Sequence, residues 1–227
     1  NLPKNNLFDI INFMRSYQKH FSDKSFIISF ISGAVLLATS LVIQSLASNY
    51  TEKRASASVT DIVLSNIPVY DVDGIFAWGA VILLVLGIVV SMSRINYMPF
   101  AMKSVALFTL IRSIFVSLTH ISPFPSSVLM APEFFKHTLF DGVFKGYDLF
   151  FSGHTGMPFL LALIFWEHKK LRYIFLGFSA TFAVVVLLGH LHYSIDVLAA
   201  YFITFTIFQM CKYLFQKDWQ LFLSKQD

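Results

Sequence analysis

The chain has 227 residues, of which 56% are hydrophobic and 13% charged, and its mean hydropathy is +0.66. A soluble domain carries about 25% charged residues, so the charges here are too few to cover a water-exposed surface around so large an apolar fraction. The composition excludes a disordered chain, a nucleic-acid module and an ordinary soluble enzyme, and it leaves an all-α integral membrane protein with several spans. The net charge of +4 does not call for a nucleic-acid partner, because Lys and Arg gather on the cytoplasmic loops of membrane proteins. The one cysteine, Cys211, lies in an apolar run and permits no intrachain disulfide.

Along the chain, residues 1–25 hold Lys4, Arg15, Lys19 and Lys24 around a weakly amphipathic stretch, Leu7–Met14. No small-residue cleavage site follows the first apolar run, so the expectation is a retained first span rather than a cleaved signal peptide. Six apolar segments follow: Phe26–Leu46, Ile75–Met92, Ser104–Ile121 with Arg112 near its middle, Leu149–Trp166 with His154 and Pro158, Tyr173–Leu188, and Ile195–Cys211 beginning beside Asp196. A bilayer crossing takes about 20 residues, and in lipid an open strand edge leaves backbone groups unpaired, so six transmembrane helices are predicted. Three units result: a cytoplasmic segment 1–25, a six-helix membrane domain 26–215 and a cytoplasmic tail 216–227.

Charge sets the orientation. With the N-terminus cytoplasmic, the inner segments carry Lys4, Arg15, Lys19, Lys24, Arg94, Lys103, Lys169, Lys170, Arg172, Lys212, Lys217 and Lys225. The outer segments carry only Lys53, Arg54, Lys136 and Lys145. This bias of 12 to 4 places both termini inside. The outer loops hold the acids Glu52, Asp61, Asp71, Asp73, Glu133, Asp141 and Asp148. In the long loop 122–148, Pro123, Pro125 and Pro132 break the chain, and Phe134, Phe135, Phe140 and Phe144 suit the membrane interface.

Three ionisable groups then fall at span ends on the outer side: His154, His192 and Asp196. Polar groups at membrane depth are costly, and they mark functional positions. His192 and Asp196 are four residues apart, so on a helix they share a face. A carboxylate there fixes the imidazole tautomer and leaves the other nitrogen free, with histidine as nucleophile. Ser152 suits a helix N-cap, and the helix N-terminus behind it favours an anion such as phosphate. Gly153 allows close approach of substrate to backbone. Two histidines around a phosphate suit attack by one and proton donation by the other.

The segments Gly146-Tyr-Asp-Leu-Phe-Phe-Ser-Gly-His-Thr155 and Gly189-His-Leu-His-Tyr-Ser-Ile-Asp-Val197 resemble the sphingomyelin synthase family. That family lies within the type-2 phosphatidic acid phosphatase superfamily of membrane lipid phosphatases and phosphotransferases. Ile67-Pro-Val-Tyr-Asp71 resembles its Pro-rich, acid-ended segment and Arg112 its intramembrane arginine, so the similarity runs over residues 26–212. Two departures stand out: there is no Lys-x6-Arg-Pro motif, and position 186, an arginine in the wider superfamily, is Val. Those cations clamp a phosphate monoester, so their absence favours a phosphodiester lipid.

The resemblance implies two displacements. His192, oriented by Asp196, attacks phosphorus while His154 protonates the leaving alcohol. The head group stays on His192 as a phosphohistidine until an acceptor alcohol, deprotonated by His154, takes it. The expected partners are a membrane phospholipid donor and a lipid alcohol acceptor of the ceramide or diacylglycerol type. Neither a metal nor another cofactor is expected, and a homo-oligomer is left open. Water as acceptor gives a lipid phosphatase instead, and a non-catalytic lipid-binding or transport protein is the third reading. Arg112, Asp148, Ser152, Gly153, His190 and Tyr193 are the candidate substrate-binding residues.

Plainer roles stand beside these. Arg112 either pairs with an acid inside the bundle or contacts phosphate. Asp148 is a cap or a head-group contact. His190 suits a structural role more than a zinc site with His192 and Asp196. Glu133 and Asp141 read as solvated loop acids before they read as partners of a head-group cation. Asp71 and Asp73 read as turn acids, and Gly87 and Gly177 as sites of close helix packing.

Overall fold

Asp23 starts the first long helix, α1 (Lys24–Arg54): its carboxylate accepts the Ser25 N–H at 2.9 Å, satisfying one of the donors a helix start leaves open. Further helices follow in the computed structural model, which describes residues 17–18, 20–127 and 147–223: α2 (Asp73–Ser93), α3 (Met98–Leu118), α4 (Gly153–Ile164), α5 (Lys169–Leu188), α6 (Ser194–Leu214) and α7 (Gln216–Leu223). Short 3-10 turns stand at Leu64–Asn66 and Ile95–Tyr97. Glu133, Asp141, the loop phenylalanines 134, 135, 140 and 144, Pro132, Lys136, Lys145, Lys225 and the first sixteen residues lie outside the described residues.

Five helices are long and apolar enough to cross a membrane: α1, α2, α3 with the turn before it, α5 and α6. Their outward faces are apolar, as at Trp78, Ile82, Val85 and Val89 of α2, each more than half exposed. A water-soluble protein does not present such continuous apolar helix faces; lipid covers them, and the chain is an integral membrane protein.

The fourth expected span differs. Residues 149–152 are not helical, and α4 has 12 residues, about 18 Å of helix against a hydrocarbon core of about 30 Å. Leu149, Phe150 and Phe151 are apolar, so hydropathy alone counts them into a span. Their backbone instead bends inside the protein, with Phe151 fully buried. Irregular backbone at membrane depth is tolerated where protein surrounds it. α4 sits at the centre of the bundle, against α2, α3, α5 and α6, with Leu160, Ala162 and Ile164 buried.

Close packing concentrates where α4 meets its neighbours. A Cβ on Gly156 would stand 2.8 Å from Thr204 Oγ1 and 2.9 Å from the Phe108 ring, so this glycine lets α4 approach α3 and α6. The Ser179 hydroxyl donates to the Thr155 carbonyl at 2.8 Å, tying α5 to α4. Gly177 was expected to serve such packing, but it faces open space, and Gly87 makes an ordinary contact with Leu161 at 3.5 Å.

The segment from residue 216, expected to be a tail, begins as a helix folded on the bundle. Trp219 of α7 packs on Phe100 at 5.0 Å and Phe208 at 5.8 Å. Asp218 pairs with Lys103 at 2.6 Å, and Lys103 also donates to Ser29 at 2.7 Å. The starts of α1 and α3 and the end of α6 therefore share one end of the bundle. At the opposite end, Ser56 N–H donates to the His120 carbonyl at 2.7 Å and Tyr70 N–H to the Leu188 carbonyl at 2.9 Å. Asp71 accepts the Asp73 N–H at 3.1 Å in the turn that opens α2. The candidate histidines lie at this second end.

Candidate active site

α5 ends at Leu188, and the chain turns sharply before α6. The Val186 carbonyl accepts the Leu191 N–H at 2.8 Å, and His190 takes a left-handed φ of 53°, which histidine tolerates better than bulkier residues do. A Cβ on Gly189 would stand 2.5 Å from Val72 Cγ2, so only glycine lets this turn approach the loop before α2. The turn delivers His192 just ahead of α6. His192 is thus not on the helix, and the shared helical face expected for His192 and Asp196 is not how they meet. Asp196 is the third residue of α6 and reaches back across the helix start. Its Oδ2 accepts the Tyr193 N–H at 3.0 Å and stands 3.5 Å from His192 Nδ1. Asp196 thus lies at the helix N-terminus, where unpaired N–H groups and the positive dipole end favour an acidic side chain.

His154 comes from the start of α4. Ser152 caps that helix, its Oγ accepting the Thr155 N–H at 3.4 Å. Its own N–H donates to the Asp196 carbonyl at 3.1 Å. That bond locks the starts of α4 and α6 together and brings the His154 and His192 rings to 6.5 Å between centroids. Phe76 of α2 lies over the His154 ring at 4.2 Å, and Phe182 of α5 flanks it at 5.8 Å.

Arg112 lies below, under Gly153, whose missing side chain makes room: a Cβ there would be 3.0 Å from Arg112 Nε. The guanidinium is fully engaged. Nη1 bonds Asp148 Oδ2 at 2.7 Å, Nη2 bonds the Asp148 carbonyl, and Nε donates to the Phe151 carbonyl at 2.9 Å. Asp148 also accepts from Gln44 of α1 at 3.4 Å, and Gln44 accepts the Ser113 hydroxyl at 2.9 Å. Arg112 thus supplies the hydrogen bonds that the non-helical segment before Ser152 cannot make with itself.

His190 and Tyr193 flank His192 in sequence but engage the surrounding loops. His190 Nδ1 shares a 2.6 Å hydrogen bond with the Ser126 hydroxyl, and Phe124 packs edge-on at 5.4 Å. The Tyr193 hydroxyl donates to the Ser122 carbonyl at 2.8 Å and accepts the Val59 N–H at 3.2 Å. Among the described residues, no cluster of His, Cys, Asp or Glu suits a metal.

Two supporting residues carry little sequence signal. Asp61 accepts both the N–H and the hydroxyl of Ser194, at 2.7 and 2.8 Å. It thereby caps α6 from 133 residues away in sequence. Burial pushes its carboxyl up, but the hydrogen bonds from Ser194, Leu64 and Val63 outweigh this and hold it below the usual carboxylate range. Gln44 did leave a trace, as a polar side chain in an otherwise apolar span.

At 6.5 Å between rings, one tetrahedral phosphorus group is within reach of both imidazoles. The α4 N-terminus supplies backbone N–H groups beside it. Residues 147–214, which contain His154, His192 and Asp196, match the family model described as PAP2 superfamily C-terminal. The match is a likeness to the PAP2 superfamily over less than a third of the chain, the part that carries both histidines and Asp196. No curated protein and no solved structure matches the chain.

Arg112→Ala leaves Asp148 as a buried charge without its partner, and thermal unfolding in detergent should show a loss of about 3–5 kcal/mol. The double variant Arg112→Met with Asp148→Leu should recover only the part due to the uncompensated charge, because the Asp148 and Phe151 carbonyls still lack their donor; a double variant no more stable than Arg112→Ala means the ion pair is not what holds the segment. For Asp61, the folded carboxyl is depressed, so its stabilisation is full above the unfolded value of 3.8 and fades as pH falls through the folded one. Asp61→Asn should therefore melt below the native protein at neutral pH, with the gap closing under acid conditions. A gap independent of pH would remove the charge from this account.

Proposed function

We propose that the protein is a lipid phosphotransferase that moves a phospho-head group from a phospholipid donor to a lipid alcohol, in the manner of the sphingomyelin synthase family. The observation that carries this reading is the facing pair His154 and His192, with Asp196 behind His192 at 3.5 Å. Six crossings with both termini cytoplasmic, α4 with its non-helical lead being the fourth, put the site on the non-cytoplasmic side; the excess of Lys and Arg on the other side supports this.

In the first step, Asp196 holds the Nδ1–H tautomer of His192, and Nε2 attacks phosphorus. The N–P bond forms, the P–O bond to the donor alcohol breaks, and protonated His154 gives its proton to the departing oxygen. In the second step, His154 takes the proton of the acceptor hydroxyl, whose oxygen displaces His192 from phosphorus. The α4 N-terminus stabilises the charge that builds on the phosphoryl oxygens.

The charge balance supports a phosphodiester donor. Arg112 is bound to Asp148, and position 186 is a buried Val. Neither brings an uncommitted cation to the histidines, and a phosphodiester needs less countercharge than a dianionic monoester.

The test is purified protein with a head-group-labelled phospholipid and either ceramide or diacylglycerol. Label should pass to the acceptor, and Asp196→Asn should slow transfer on the order of 10²–10⁴-fold while the fold survives. Free phosphate from a phosphatidate monoester, without transfer, would instead mark a lipid phosphatase. Neither activity from folded protein, or full activity from His192→Ala, would overturn the enzymatic reading.

A further inference from the structure

On the outward face of the bundle, α1 and α3 leave a shallow, open groove of about 430 Å³. Its walls are Ile43, Leu46, Ile114 and Leu118, and Ser113 and Ser117 lie in its floor. Both serine hydroxyls are already engaged, Ser117 with the Ser113 carbonyl and Ser113 with the Thr109 carbonyl and Gln44, so the groove offers an apolar surface. None of its lining residues belongs to the histidine centre.

The mouth is different in character. Tyr50 closes the groove at the end of the bundle that also carries His192. The His120 ring packs edge-on against Tyr50 at 5.4 Å, and the Arg54 guanidinium lies over the same ring at 5.8 Å. Arg54 is exposed and makes no ion pair with a described residue. From Arg54 down to Ile43 the helix rises about 16 Å, which is about the hydrocarbon depth of one leaflet.

A shallow apolar groove beside an aromatic ring and an exposed arginine that pairs with no described acid suits a molecule with an apolar chain and an anionic head group. We propose that this groove binds a bilayer phospholipid, with an acyl chain between α1 and α3 and its phosphate at Arg54. Tyr50 sits at the polar boundary, as interfacial aromatics do. The bound lipid lies along the outer crease of the packed α1–α3 pair. This inference does not depend on the chemistry assigned to the histidines.

The test uses the full chain in phosphatidylcholine vesicles containing a phosphatidylcholine with a photoactivatable acyl chain, followed by mapping of labelled peptides. Labelling at Ile114 and Leu118 should exceed that on the lipid-facing side of α2 at Ile82 and Val85, which serves as the bulk-lipid control in the same sample. A diacylglycerol with the same photoactivatable chain should label the groove less. Arg54→Glu should lower phosphatidylcholine labelling there at least about fivefold, the worth of one basic residue at a membrane surface, with the α2 labelling unchanged. Ile114→Trp should block the groove, and it decides the matter if the Arg54 variant does not fold. Groove labelling no higher than on α2, equal labelling by the phosphate-free lipid, or labelling indifferent to the substitutions would overturn the proposal.

Discussion

Asp196 is the residue on which the site depends. Its carboxylate stands behind His192 and accepts the N–H that opens α6, while its carbonyl accepts the Ser152 N–H that opens α4. One residue thus stands beside one histidine and fixes the start of the helix that presents the other. It is only 1% exposed, where an uncompensated carboxylate would be costly. The helix start supplies the compensation, so the cost of burying the charge and the geometry of the site are settled by the same contacts.

The rest of the bundle follows the same rule: among the described residues, each buried Lys, Arg, Asp or Glu is held by a specific partner. Arg112 with Asp148 braces the irregular segment before Ser152. Lys103 with Asp218 folds α7 onto the opposite end. Asp61 with Ser194 caps α6 from the loop after α1. Pairs of this kind add little net stability against an apolar alternative, but they set position. Here they hold α4 and α6 so that two imidazoles face each other, which is the preorganisation that group transfer requires. Phe76 and Phe182 around His154 lower the local polarity there, which strengthens electrostatic contacts.

Much of this was legible in the sequence, for reasons that can be named. The scarcity of charge gave the membrane class, and the apolar runs gave the five long helices. Polar residues kept near the bilayer pointed to His154, His192 and Asp196. The geometry behind the last two was not legible: spacing of four suggests a helical face, whereas the structure uses a helix cap, and the same spacing serves both. The length of α4 was hidden because hydropathy records apolarity rather than conformation, and Leu149, Phe150 and Phe151 are apolar without being helical. Asp61 was hidden because its partner is 133 residues away and a loop carboxylate looks like any solvated acid. Arg112 announced that it needed a partner but not which one.

The central claim is that His192 carries the head group covalently between donor and acceptor. The direct measurement is mass spectrometry of protein quenched rapidly under alkaline conditions, which preserve phosphohistidine, after mixing with donor lipid alone. The account predicts a phospho-head-group adduct on the peptide containing His192, accumulating without acceptor and lost when a lipid alcohol is added. Transfer that proceeds with no adduct, or with an adduct on a different residue, would contradict it.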